Sequence, residues 1–227
     1  MRWLRLILIV LIVRPLTRLI AGADVIGEER LPLTGPAIVA ANHSSHIDTL
    51  LLLTLFSPRA VGKVRPVAAA DYFLADPVIS WVSRRLIGIV PVERGRAGAD
   101  VDPLAAARAA LANGDILIVF PEGTRGAASD MAPLKSGVAR LAEAFPAAPV
   151  IPVWIEGAGR VLPKGAHVPV PMTCCVLVGE PMCWAGDRAE FMARLKDALE
   201  GLQATAPPLR WAQTVENRPS PQDKIHP

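Results

Sequence analysis

The stretch that decides the fold is AANHSSHIDTLLLLTL, residues 40–55. The apolar run PAIVAA, residues 36–41, leads into it and reads as a buried strand. From Thr49 to Leu55 an apolar run reads as the start of a helix. Between them stand His43, Ser44, Ser45, His46 and Asp48. A strand that passes into a helix through a polar turn is the unit of an α/β layer architecture. In open α/β sheets, ligands bind outside the carboxyl ends of such strands.

The same alternation continues along the chain. PVAAA, residues 66–70, reads as a second strand. DPVISWVSRRLIG follows as a helix, with Asp76 as N-cap, Pro77 in the first turn and Gly88 as the stop. IVPV, residues 89–92, is a short strand. Asp102, Pro103 and Gly114 frame a second capped helix. ILIVF, residues 116–120, is continuously apolar, as in a strand covered on both faces. Residues 136–145 read as a helix, 149–157 as a strand interrupted by Pro152, and 173–180 as another strand. The last helix opens at Asp187 with a capping box to Glu190, and Phe191, Leu195, Leu199 and Leu202 keep helical spacing. The pattern predicts an α/β fold: a mixed, largely parallel sheet flanked by helices, with an N-terminal membrane-interface helical segment. No internal repeat or interdomain linker breaks it. Residues 1–30 read as the membrane-associating segment, 31–205 as one domain, and 206–227 as a Pro-rich polar tail.

Composition limits the function. Apolar residues make up 52% of the 227 and charged residues 20%, which excludes a disordered chain. A net charge of +3, without zinc-finger or RNA-binding motifs, gives no support to a nucleic-acid partner. Cys174, Cys175 and Cys183 form no C-x-x-C pair and read as buried, reduced thiols.

The chain opens MRWLRLILIVLIVRPLTRLIAGAD, with four arginines and no acid before Asp24. Its unbroken apolar run, residues 6–13, is far shorter than the ~20 residues of a spanning helix. Three readings fit: a signal peptide, a core element, and a segment in the membrane interface. Arg14 and Arg18, between the apolar run and Ala21-Gly22-Ala23, weigh against the signal peptide. The spread of arginines without acids favours the interface, with the arginines snorkelling to anionic headgroups and Trp3 at the boundary.

In NHSSHID, Asp48 lies five positions after His43. A strand-to-helix turn folds such a pair together. A carboxylate on one ring nitrogen fixes the tautomer and leaves the other nitrogen as a base. A polar strand end and an Asp N-cap would explain the two residues equally well. A metal site using His43, His46 and Asp48 lacks a helical H-E-x-x-H frame. No G-x-S-x-G elbow exists, which disfavours an α/β-hydrolase. Further along lie GIVPVERG with Arg94, VFPEGTRG with Glu122 and Arg125, and APLKSG with Lys135. These three cations suit a phosphate, although each alone also reads as an ordinary solvated charge.

Taken together and in this order, NHSSHID, GIVPVERG, FPEGTRG and VIPVWIEG resemble the glycerolipid acyltransferase family, in particular the 1-acylglycerol-3-phosphate acyltransferases. The resemblance spans roughly residues 31–179. It implies that His43 is the general base for an acceptor hydroxyl and that Asp48 orients it. It implies an acceptor phosphate on Arg94, an acceptor site shaped by Glu122, Gly123, Thr124 and Arg125, and Lys135 as a further cation. Pro121 and Pro152 would lie near the acyl chain or be structural. Glu93 stands where many relatives carry Asp, and His46 occupies a variable position. The implied donor is acyl-CoA or acyl-carrier protein, with no cofactor and no metal, and the acceptor a lysophospholipid at the cytoplasmic face of the inner or plasma membrane. Another lysophospholipid or amino-acid lipid as acceptor, a noncatalytic lipid-binding protein, and a hydrolase remain as rival readings.

Overall fold

The computed structural model describes residues 2–69, 87–92, 102–124, 126, 131–163 and 168–209, apart from the side chains of residues 2–4. The helix expected from Asp76, the cations Arg94 and Arg125, Trp3's side chain and most of the polar tail lie outside the described residues. Seven strands form one sheet: β1 (Ala23–Ile26), β2 (Ala37–Ala41), β3 (Val64–Ala69), β4 (Val90–Val92), β5 (Ile116–Val119), β6 (Val150–Glu156) and β7 (Cys174–Val178). Their order is β1-β7-β6-β2-β5-β3-β4. Every neighbouring pair is parallel except β6 and β7. This is the mixed, largely parallel sheet that the alternating apolar runs predict.

Helices cover both faces. On one lie α1 (Arg2–Leu8) and α2 (Arg14–Ile20), joined by a π-helical turn (Ile9–Val13), together with α3 (Ile47–Leu55), α4 (Pro58–Val61) and α7 (Ala158–Val161). Their buried Ile9, Leu51, Leu52, Val61 and Val161 pack on Val39, Ile118, Val153 and Val176. On the other lie α5 (Ala105–Ala112), α6 (Gly137–Ala144) and α8 (Arg188–Thr205). Leu111, Leu141, Phe191 and Leu195 pack there on Ile38, Leu117 and Val150. Alternate residues of each strand therefore feed opposite cores, which is why the strands read as continuous apolar runs. Each fully buried Ile, Leu or Phe contributes about 1.5–3 kcal/mol.

Two local expectations need correction. Pro152 does not interrupt β6, which runs unbroken through it. Its carbonyl accepts the N–H of Gly179 at 2.8 Å. The N–H that proline lacks falls where the β6–β7 ladder ends at Val153 and Val178, so little pairing is lost. Cys174 and Cys175 are buried, whereas Cys183, beyond the end of β7, is exposed.

The N-terminal helix is part core and part surface. Arg5, Ile9, Thr17 and Ala21 are buried along one side. Four-residue steps overrun a 3.6-residue turn, and the wider π turn takes up the excess. Arg5 does not snorkel. The residue is 3% exposed, and its guanidinium donates to the carbonyls of Gly62, Val64 and Ile87. Burial, with nearby Arg65, lowers its pKa to about 10. The opposite side exposes Ile7, Leu11, Ile12, Leu16 and Leu19. Among the described residues no helix is long and apolar enough to cross a membrane.

Candidate active site

The candidate site follows from the topology. β2 and β5 are neighbours, but β2 leads into α3 on one face while β5 leads towards α6 on the other. The chain parts between them, and in open α/β sheets such a switch point is where a crevice for ligands forms at the carboxyl ends of the strands. NHSSHID leaves β2 and FPEGT leaves β5 at that point.

His43 and Asp48 meet there. His43 Nδ1 lies 2.8 Å from Asp48 Oδ2. The same oxygen accepts the backbone N–H groups of Ser44 and Ser45, each at 2.8 Å. The carboxylate is fully buried at the start of α3, where the helix dipole favours negative charge. An oxygen that already accepts two N–H groups accepts a third from the ring. The proton therefore sits on Nδ1, and Nε2 is left with a lone pair. The imidazole is 18% exposed, enough to meet a ligand in the crevice.

The two loops hold each other. Glu122 is 4% exposed. Its Oε1 accepts the His43 N–H at 2.8 Å and its Oε2 the Ala132 N–H at 3.0 Å. The Gly126 N–H donates back to the His43 carbonyl at 2.9 Å. Glu122 thus spends its carboxylate on the backbone that carries His43, rather than presenting it to a ligand. Gly123 has φ of +70°, and a Cβ there would lie 2.7 Å from Lys135 Nζ. The left-handed φ favours glycine, and the missing Cβ lets the exposed Lys135 side chain lie over the turn. The Lys135 N–H donates to the carbonyl of buried Pro121 at 2.8 Å. Thr124 is exposed at the loop tip.

Pro152 stands apart from these groups. A Cβ on Gly179 would lie 2.8 Å from its Cγ, so it packs against the end of β7 within the sheet, in keeping with the structural alternative of its two expected roles.

A family model described as Acyltransferase matches residues 22–156. The chain belongs to the acyltransferase family. The chloroplastic 1-acyl-sn-glycerol-3-phosphate acyltransferase BAT2 of Brassica napus is 31% identical over 145 residues, covering 63% of this chain and 40% of that one. The 1-acyl-sn-glycerol-3-phosphate acyltransferase of Pseudomonas aeruginosa is 27% identical over 188 residues, covering 82% of this chain and 69% of the relative. The crystal structure of the 1-acyl-sn-glycerophosphate (LPA) acyltransferase, PlsC, from Thermotoga maritima matches with a TM-score of 0.71 and 26% identity, over 91% of this chain and 82% of that one. The chain thus spans about two fifths of the length of the Brassica relative and most of the bacterial ones.

In this member of the family, three contacts stand outside the motifs. Asn42 extends β2 with its side chain: Nδ2 donates to the Ile155 carbonyl at 3.0 Å and Oδ1 accepts the Ile155 N–H at 2.7 Å. Ser45 Oγ donates to the Leu162 carbonyl at 2.8 Å, tying the turn to the end of α7. The Phe120 ring stacks on the His43 imidazole. Strand alternation carried the signal for Phe120, since continuing β2 and β5 by two-residue steps puts His43 and Phe120 on one face.

Proposed function

We propose that this acyltransferase moves a fatty acyl group from acyl-CoA or acyl-carrier protein to the free hydroxyl of 1-acylglycerol 3-phosphate, giving phosphatidic acid. The observation that carries the reading is the His43–Asp48 pair, 2.8 Å apart at the switch point; with Nδ1 donating to the carboxylate, Nε2 is left to act as the base. Nε2 takes the acceptor's hydroxyl proton as its oxygen attacks the thioester carbonyl. The C–S bond then breaks, and the departing thiolate takes the proton back from the imidazolium. The buried Asp48 carboxylate balances the transient positive charge. Arg94, Arg125 and Lys135 serve the acceptor's phosphate. Glu122, Gly123 and Pro121 shape the loop beside it. No cofactor or metal enters this scheme.

The acceptor arrives from a bilayer on the cytoplasmic side. The exposed stripe Ile7, Leu11, Ile12, Leu16 and Leu19 supports this, with Leu19 77% exposed. Val168 and Val170 are exposed as well, in the segment leading to Met172, whose N–H donates to the Ile20 carbonyl at 3.1 Å. Arg18, exposed beside the stripe, adds attraction for anionic headgroups.

The test is thiol release from oleoyl-CoA by the purified chain in mixed micelles, with and without 1-acylglycerol 3-phosphate. Release that requires the acceptor, with phosphatidic acid formed in step, is expected. Acceptor-independent release with free fatty acid would make the protein a thioesterase instead. Cosedimentation with anionic vesicles tests the surface, and Leu11→Glu with Leu19→Glu is expected to abolish it. Undiminished sedimentation of that variant would overturn the membrane face.

A further inference from the structure

The imidazole of His43 is held at one nitrogen by Asp48, and its carbonyl and N–H are held by Gly126 and Glu122. The Asp48 bond restrains the ring at one edge only, and χ2 of histidine is a broad torsion. Phe120 supports the face of the ring. The two ring centroids are 4.0 Å apart and the planes differ by 18°. Phe120 is itself well held. It precedes Pro121, which confines its backbone to the extended region. Its carbonyl accepts the Gly123 N–H at 3.0 Å, and its ring packs against the core beneath α3.

We propose that Phe120 is a positioning residue for the base, aiming His43 Nε2 into the crevice and favouring the imidazolium that forms as the hydroxyl proton arrives. This rests on His43 being the base. The face of an aromatic ring is negative, so it attracts a cation more strongly than a neutral ring. The contact is therefore stronger when the imidazole is protonated than before, and only such differential contacts raise the chemical rate. The acceptor's affinity is untouched, because Phe120 acts through His43.

Phe120→Leu keeps an apolar side chain and removes the ring; Phe120→Tyr keeps the ring. In the full chain, Phe120→Leu is expected to lower kcat by about 2- to 30-fold, the range of a cation over an aromatic face. KM for 1-acylglycerol 3-phosphate is expected to stay within about twofold, since uniform binding is unchanged. Phe120→Tyr is expected to restore kcat. In the proton spectrum, the His43 ring protons are expected to shift upfield in wild type and lose that shift in the leucine variant. Wild-type kcat in a folded leucine variant would overturn the inference, as would a loss carried by KM or one that tyrosine does not restore. If the leucine variant does not fold, Phe120→Met is read against the same outcomes. A fully active His43→Ala would instead remove the base reading beneath, whereas an inactive His43→Ala beside a fully active Phe120→Leu would remove this inference alone.

Discussion

Glu122 holds His43 by its backbone: Oε1 accepts the His43 N–H at 2.8 Å while Oε2 accepts that of Ala132. The loop after β5 therefore sets where the residue after β2 stands. Glu122→Gln puts an amide N–H against one of these donors inside a buried site. The expected cost is about 1–3 kcal/mol in urea denaturation. Displacing the base is also expected to lower kcat at least about tenfold, since misplacement of a reacting group is costly. Unchanged stability and kcat would contradict the latch.

Asp48→Asn is nearly isosteric and keeps an oxygen where Oδ2 accepts from His43, Ser44 and Ser45, but it removes the buried negative charge. The imidazolium that forms as Nε2 takes the proton then has no counter-charge. A fall in kcat of about 10²–10⁴ is expected, the usual size of general-base catalysis. Steady-state kinetics on protein with an unchanged melting curve provide the check.

Much of this was legible in the residues. The unbroken apolar runs gave β2, β5 and β7 because strands covered on both faces have no polar side to show. The H-x4-D spacing gave the His43–Asp48 pair. The Asp187–Glu190 cap appears as expected, with Asp187 Oδ1 accepting the Glu190 N–H at 2.8 Å. What the residues did not disclose depends on partners distant in sequence. Arg5 is buried because the carbonyls of Gly62, Val64 and Ile87 converge on it. Glu122 turns to backbone because Ala132 and His43 arrive beside it. β6 passes through Pro152 because a neighbouring ladder happens to end there. No local pattern encodes those encounters.

Asn42 supplies both halves of a strand-like pairing to Ile155 at distances of 3.0 and 2.7 Å. Asn42→Ala leaves a buried N–H and a buried carbonyl without partners. A loss of about 2–4 kcal/mol is expected, because each unsatisfied group costs about 1–3 kcal/mol. Chemical denaturation measures it, and a change below about 0.5 kcal/mol, typical of an ordinary surface site, would contradict the pairing.

Gly123→Ala places a Cβ 2.7 Å from Lys135 Nζ at a φ of +70°. Left-handed backbone alone costs about 1–2 kcal/mol. The remainder comes from displacing Lys135, so the substitution is expected to cost less in a Lys135→Ala background. A double-mutant cycle on melting reads that coupling, and strict additivity would rule out the contact.

Burial raises the Cys174 thiol to about 12 from an ordinary 9.0 and raises Cys175 as well. Both hold their protons more firmly folded than unfolded. Their contribution to stability is intact below about pH 9 and is lost as pH climbs towards 12. Between pH 9 and 11 the wild type is expected to lose stability more steeply than Cys174→Ala in urea titrations; parallel slopes would contradict this. At pH 8, exposed Cys183 alone is expected to react with an alkylating reagent in the native chain.

The most direct measurement compares acyl transfer to 1-acylglycerol 3-phosphate by wild type and His43→Ala at matched folded concentration. A loss of about 10²–10⁴ in kcat with an unaltered melting curve is expected if Nε2 takes the hydroxyl proton. Turnover of the folded variant at the wild-type rate would contradict the account.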